Sequence, residues 1–211
     1  MANTGSRARL DTRKLTVLGL LAALIVVLQI ISNFIRFGPI SITLALAPII
    51  IGGALYGVGA GGVLGFIFGS ICLISGLLGW DGGFIMALMS YAGEITFLYV
   101  LLTVLLCVGK GVLAGLAGAA VYRLLEKRGT VLSVIAAGIA TPVVNTGVFA
   151  LGAYTIFRDM LVSPDYSSAI AVLLLGWIGV NFLVELGTNL VLSTVVTRVV
   201  QVGGRMGARK R

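Results

Sequence analysis

The chain has 211 residues, 59% of them hydrophobic and 10% charged, with a formal net charge of +8. A soluble domain carries about 25% charged residues, so a mean hydropathy of +1.13 places the chain in the membrane class. The absence of histidine and the presence of only two cysteines argue against a transition-metal site. The basic residues flank apolar runs and form no groove, which excludes nucleic acid as a partner and fits topology determinants and anionic lipid.

Charge-free runs cover residues 15–35, 37–80, 129–157 and 166–184. A spanning helix needs roughly 20 apolar residues, and these runs are continuous rather than alternating, so a β-barrel is disfavoured. The expected fold is an all-α membrane protein, one integral membrane domain over 1–211, with six spans at about 15–32, 42–56, 59–78, 98–125, 131–157 and 169–199. The basic start (Arg7, Arg9, Arg13, Lys14) leads into the first span without a small-residue cleavage site and reads as a retained anchor. The second span is short, bounded by Pro39 and Gly57.

Residues 82–125 are long enough for two helices, and the positive-inside rule arbitrates. With six spans one side receives both termini plus Arg123, Lys127 and Arg128, twelve basic residues in all, and the other only Arg36 and Arg158. Both termini are then cytoplasmic. Residues 80–97 become an outer loop or re-entrant segment that is apolar yet carries Asp81, Tyr91 and Glu94. Such backbone is tolerated at membrane depth where protein or a cavity covers it, so this loop is expected to cap a ligand cavity.

Small residues mark helix contacts. Gly19, Ala22 and Ala23 form a patch on the first helix that fits internal packing or a different protein equally. Gly53, Gly57, Gly61, Gly65 and Gly69, each four apart, form a ridge across a turn that suits internal packing.

The polar residues within the spans are the candidate site. Glu185 is the only charge between Asp165 and Arg198, with Asn181 four residues before it and Asn189 four after, on one helix face. A carboxylate in hydrocarbon costs about 2.5 kcal/mol or more, so it is a functional hypothesis by default. Lys110 lies between Gly109 and Gly111, which give room for a bulky group. It binds an anionic ligand or pairs with Glu185 or Glu94. Asn145 follows Pro142, whose ring breaks the helical ladder. The asparagine either re-satisfies the freed groups or faces a ligand. Asn33 and Arg36 close the first span, where Arg36 reaches lipid headgroups or attracts an anionic solute.

No P-loop, nucleophile elbow or zincin motif occurs, and no catalytic constellation is evident, so an enzyme is not expected. Cys72 and Cys107 read as small buried hydrophobes.

The segment 37–66, FGPISITLALAPIIIGGALYGVGAGGVLGF, resembles the second and third helices of the substrate-binding S components of energy-coupling factor (ECF) vitamin transporters. KGVLAGLAGAAVYR at 110–123 looks like the fourth helix of that family and NTGVF at 145–149 like the fifth. NFLVE at 181–185 is most similar to the pantothenate-type branch. The order and spacing of these motifs cover nearly the whole chain.

The resemblance implies a multi-pass protein of the prokaryotic plasma membrane that captures a vitamin and joins a transmembrane scaffold and two ATPase subunits. ATP is then bound by those partners, and this chain carries no cofactor of its own. Pantothenate leads, with riboflavin or folate as alternatives. The implied substrate-binding residues are Lys110, Asn145, Asn181, Glu185, Asn33, Arg36 and Tyr91, and the implied scaffold contact is Gly19, Ala22 and Ala23. Lys110 stands where the pantothenate-like pattern has an arginine, and an ammonium loses bidentate carboxylate recognition. A stand-alone secondary transporter using Glu185 and Lys110 is the competing reading.

Overall fold

The computed structural model of the chain describes residues 12–37, 40–41, 43–80, 97–156 and 178–208. Among these are six α-helices: α1 (Thr12–Ser32), α2 (Leu46–Tyr56), α3 (Val58–Leu77), α4 (Phe97–Leu125), α5 (Thr130–Ile156) and α6 (Ile178–Ala208). A two-residue antiparallel ribbon, β1 (Arg36–Phe37) and β2 (Ile40–Ser41), joins α1 towards α2, pairing Arg36 with Ser41 and Phe37 with Ile40. A 3-10 turn, Glu126–Arg128, and Gly129 at φ 123° reverse the chain between α4 and α5.

Five of the helices are long and apolar enough to cross a membrane. The exception is α2. Its 11 residues rise roughly 16 Å, about half the thickness of a hydrocarbon core. The expected second span, 42–56, is therefore a half-length helix preceded by irregular chain at 43–45. Its position explains its composition: every residue from Leu46 to Gly53 is buried, and a helix apolar on all faces belongs inside a bundle. Pro48 falls in its first turn, where the missing N–H breaks no ladder bond.

Gly57, at φ 96°, turns the chain back so that α3 packs along α2. A methyl group there would lie 2.7 Å from Nη2 of Arg123, so the turn has neither the backbone freedom nor the space for a side chain.

The closest contact joins α3 to α4. Gly65 and Gly111 lie backbone to backbone, as do Gly61 and Gly115, and a Cβ added at any of the four would collide with the facing carbonyl. Gly69 continues the seam against the Cys107 carbonyl, where a Cβ would come within 2.6 Å of the oxygen. The descending partners of 61, 65 and 69 show that the helices run antiparallel. Lipid tails supply no hydrophobic drive between helices, so close van der Waals contact of this kind holds the pair. The glycine ridge is thus internal packing, as its spacing predicts.

Towards the ends, Lys14 sits 6.0 Å from the Tyr56 ring and Arg123 covers Gly57. This gathers the start of α1, the α2–α3 turn and the α4–α5 turn at one basic end. At the other end the Asn33 amide donates to Ser75 Oγ at 2.9 Å, tying α1 to α3, and the Leu44 N–H donates to Ser32 Oγ at 3.1 Å. The expected capping loop, 80–97 with Tyr91, lies outside the described residues except for its ends, Trp80 and Phe97.

Candidate functional site

A 31-residue apolar helix carries one buried carboxylate. Glu185 is 1% exposed. Its partners come from α5: the Thr146 hydroxyl donates to Oε2 at 3.2 Å, and the Asn145 amide donates to the same oxygen at 3.5 Å. The first is an ordinary hydrogen bond and the second is at the long limit. Thr146, not singled out from the sequence, is therefore the nearer of the two. A hydroxyl in a membrane helix usually bonds the carbonyl one turn back, as Thr141 does to Ala137 at 2.7 Å. Nothing in the spacing separates a threonine that bonds across to a neighbouring helix from one that does not.

Asn145 sits one turn beyond Pro142, inside α5. Its amide nitrogen crosses to Glu185 and leaves the local ladder alone. It is 3% exposed, and its Oδ1 has no hydrogen-bond partner among the described residues. Asn189, which shares a face with Glu185 in the sequence, turns back on its own helix and donates to the Glu185 carbonyl at 2.8 Å. Its side chain is engaged locally on α6. Asn181 stands one turn earlier on α6.

Lys110 lies near the middle of α4, half-buried, with Nζ 4.7 Å from the centroid of the Phe149 ring. Cation–π contacts at this range are worth about 0.5–2 kcal/mol, more where water is excluded. The flanking glycines differ. Gly109 has open space where a Cβ would sit, whereas Gly111 is consumed by packing on Gly65 and Gly69. Of the two glycines beside Lys110, only Gly109 leaves its Cβ position open among the described residues.

The geometry brings Lys110, Asn145 and Glu185 onto one stretch of α5. Residues 145 and 146 meet α6, and residue 149 meets α4. Asn33 donates its amide nitrogen to Ser75 Oγ at the α1–α3 contact. Arg36 belongs to β1. On α1, Gly19 has open space around it and Ala23 is exposed, while Ala22 packs partly against the core. Among the described residues no group of three or more histidine, cysteine, aspartate or glutamate side chains could hold a metal ion.

Against known families, the model of the ECF transporter substrate-specific component matches residues 13–197. No curated protein and no solved structure matches the chain.

Proposed function

The chain belongs to the family of substrate-specific components of ECF transporters, and from that premise we propose that it is the vitamin-capture subunit of such an importer, taking pantothenate at Glu185, Asn145 and Lys110. The family is one of transporter subunits that bind substrate, not of enzymes.

One observation carries the site. A carboxylate is held 1% exposed in a membrane-spanning helix by donors from the neighbouring helix. Burying that charge costs several kcal/mol, and helix packing alone gives no reason to bear it. Pantothenate matches the groups present in kind, with one carboxylate for Lys110 and hydroxyls and an amide for Glu185 and Asn145. Asn181, one turn from Glu185, Arg36, at the ribbon, and Tyr91 complete the proposed substrate contacts, with Asn33 supporting the ribbon end through Ser75.

The basic end, with Arg13, Lys14, Arg123, Lys127 and Arg128, is the cytoplasmic side on the positive-inside rule, in a prokaryotic plasma membrane. The open, small-residue face at Gly19 and Ala23, flanked by Ala22, is where the transmembrane scaffold subunit docks. That scaffold carries two ATPases, and ATP bound there drives release by favouring a conformation of lower affinity.

Uptake of labelled pantothenate into proteoliposomes tests the proposal. Uptake is expected only with the scaffold and both ATPases present and ATP inside, and is expected to be lost in Glu185→Gln. ATP-independent uptake by the chain alone contradicts the assignment and points to a secondary transporter.

A further inference from the structure

The two ends of the site offer a ligand opposite things. Between α5 and α6 the groups accept. The Asn145 amide nitrogen is turned to Glu185, which fixes the amide's orientation, since reversing it would set Oδ1 against a carboxylate oxygen. Oδ1 is left buried with no hydrogen-bond partner among the described residues. The Thr146 hydroxyl proton is committed to the same carboxylate oxygen. With two donors turned on it, Glu185 serves as an acceptor. A molecule that fills this end must bring a donor, a hydroxyl or an amide N–H.

At α4 the offer reverses. Lys110 carries a positive charge and only donors, above the face of Phe149. Thr146 and Phe149 are three residues apart on α5, roughly 4.5 Å along the helix. Both ends therefore fall within reach of one small molecule.

Resting on the reading of the chain as a pantothenate-type S component, we infer that the ligand binds in a single orientation along residues 145–149 of α5, its hydroxyl-and-amide end buried between Glu185 and Asn145 and its carboxylate at Lys110. Selectivity is divided accordingly. Asn145 Oδ1 rejects a molecule whose buried end only accepts, because two facing acceptors leave both unpaired. Lys110 selects the anionic end, and Phe149 is a positioning residue that holds the ammonium in place.

The test is calorimetry of the full-length chain in nanodiscs with two probes, pantothenate and its alcohol panthenol, which has a hydroxymethyl in place of the carboxylate. Wild type is expected to prefer pantothenate by about tenfold or more. Lys110→Met is expected to erase that preference, Lys110→Arg to keep it, and Phe149→Leu to reduce it. Glu185→Gln and Asn145→Leu are expected to weaken both probes by the same factor and leave the preference intact. The ratio of two affinities within one variant is unaffected by any fraction of chain that fails to fold. A preference that survives Lys110→Met, or one erased by Glu185→Gln, overturns the orientation while leaving pantothenate as the ligand. A wild-type chain that binds neither probe overturns the orientation and the pantothenate reading together.

Discussion

Thr146 donates its hydroxyl to the Glu185 carboxylate across 3.2 Å, joining α5 to α6 inside an apolar bundle. The bond gives the buried charge a partner from the neighbouring helix, so the site and the α5–α6 contact depend on one another. Thr146→Val keeps the shape and removes the donor. Hydrogen bonds between membrane helices average about 0.6 kcal/mol, and Thr146→Val is expected to cost about that much. A double-mutant cycle with Glu185→Leu, which removes the acceptor, followed by unfolding in mixed micelles, should show coupling between the two. Strict additivity would mean that the bond contributes nothing.

The α3–α4 seam gives a sharper contrast. A Cβ at Gly65 meets the Gly111 carbonyl, which is backbone and cannot swing aside, whereas a Cβ at Gly19 meets nothing within 4 Å among the described residues. Gly65→Ala should therefore force the helices apart at a cost of about 1–3 kcal/mol. Gly19→Ala should be neutral or slightly stabilising, since alanine is the better helix former. Equal melting temperatures for the two variants would refute the packing described for this seam.

The α1–α3 tie can be measured on its own. Asn33 donates to Ser75 Oγ at 2.9 Å, and both residues are buried. Asn33→Ala and Ser75→Ala are each expected to lower stability, and together to lower it by less than the sum of their separate effects. If pantothenate affinity falls far more than stability does, Asn33 touches the ligand directly and its role is not limited to the helix contact.

Docking and capture should separate. Gly19 and Ala23 lie on the exposed face of α1, whereas Glu185 is bonded to α5. Replacing both with leucine should leave ligand affinity unchanged while abolishing co-purification with the scaffold subunit. Loss of ligand binding in the same variant would show that the face is coupled to the site and is not a separate docking surface.

The long helices were legible because hydropathy and length decide them. The expected spans 15–32, 59–78, 98–125 and 131–157 lie within three residues of α1, α3, α4 and α5 at each end, whereas the sixth, 169–199, begins outside the described residues and α6 runs on to Ala208. The glycine ridge was legible because spacing by four puts small residues on one face. Three features were not. The half-length of α2 escaped because residues 42–45 are as apolar as the helix that follows them, and a break in backbone hydrogen bonding leaves no mark on hydropathy. Asn189 looked like part of a functional stripe because sequence shows which face a side chain occupies but not that it bonds its own carbonyl one turn back. Thr146 escaped for the opposite reason, since a hydroxyl that crosses to another helix looks the same as one that does not. Glu185 stood out in both, because a lone carboxylate in a span needs a reason wherever it points.

On the proposed function, the chain itself captures a vitamin at Glu185. Its most direct test is mass spectrometry of the small molecules released from the full-length chain after expression and purification without partner subunits. Wild type is expected to yield a stoichiometric vitamin, pantothenate first among the candidates, and Glu185→Gln, folded to within about 1 kcal/mol of wild-type stability, to yield none. A variant that retains the vitamin, or a wild-type chain that carries none and takes up none from a vitamin panel, would contradict it.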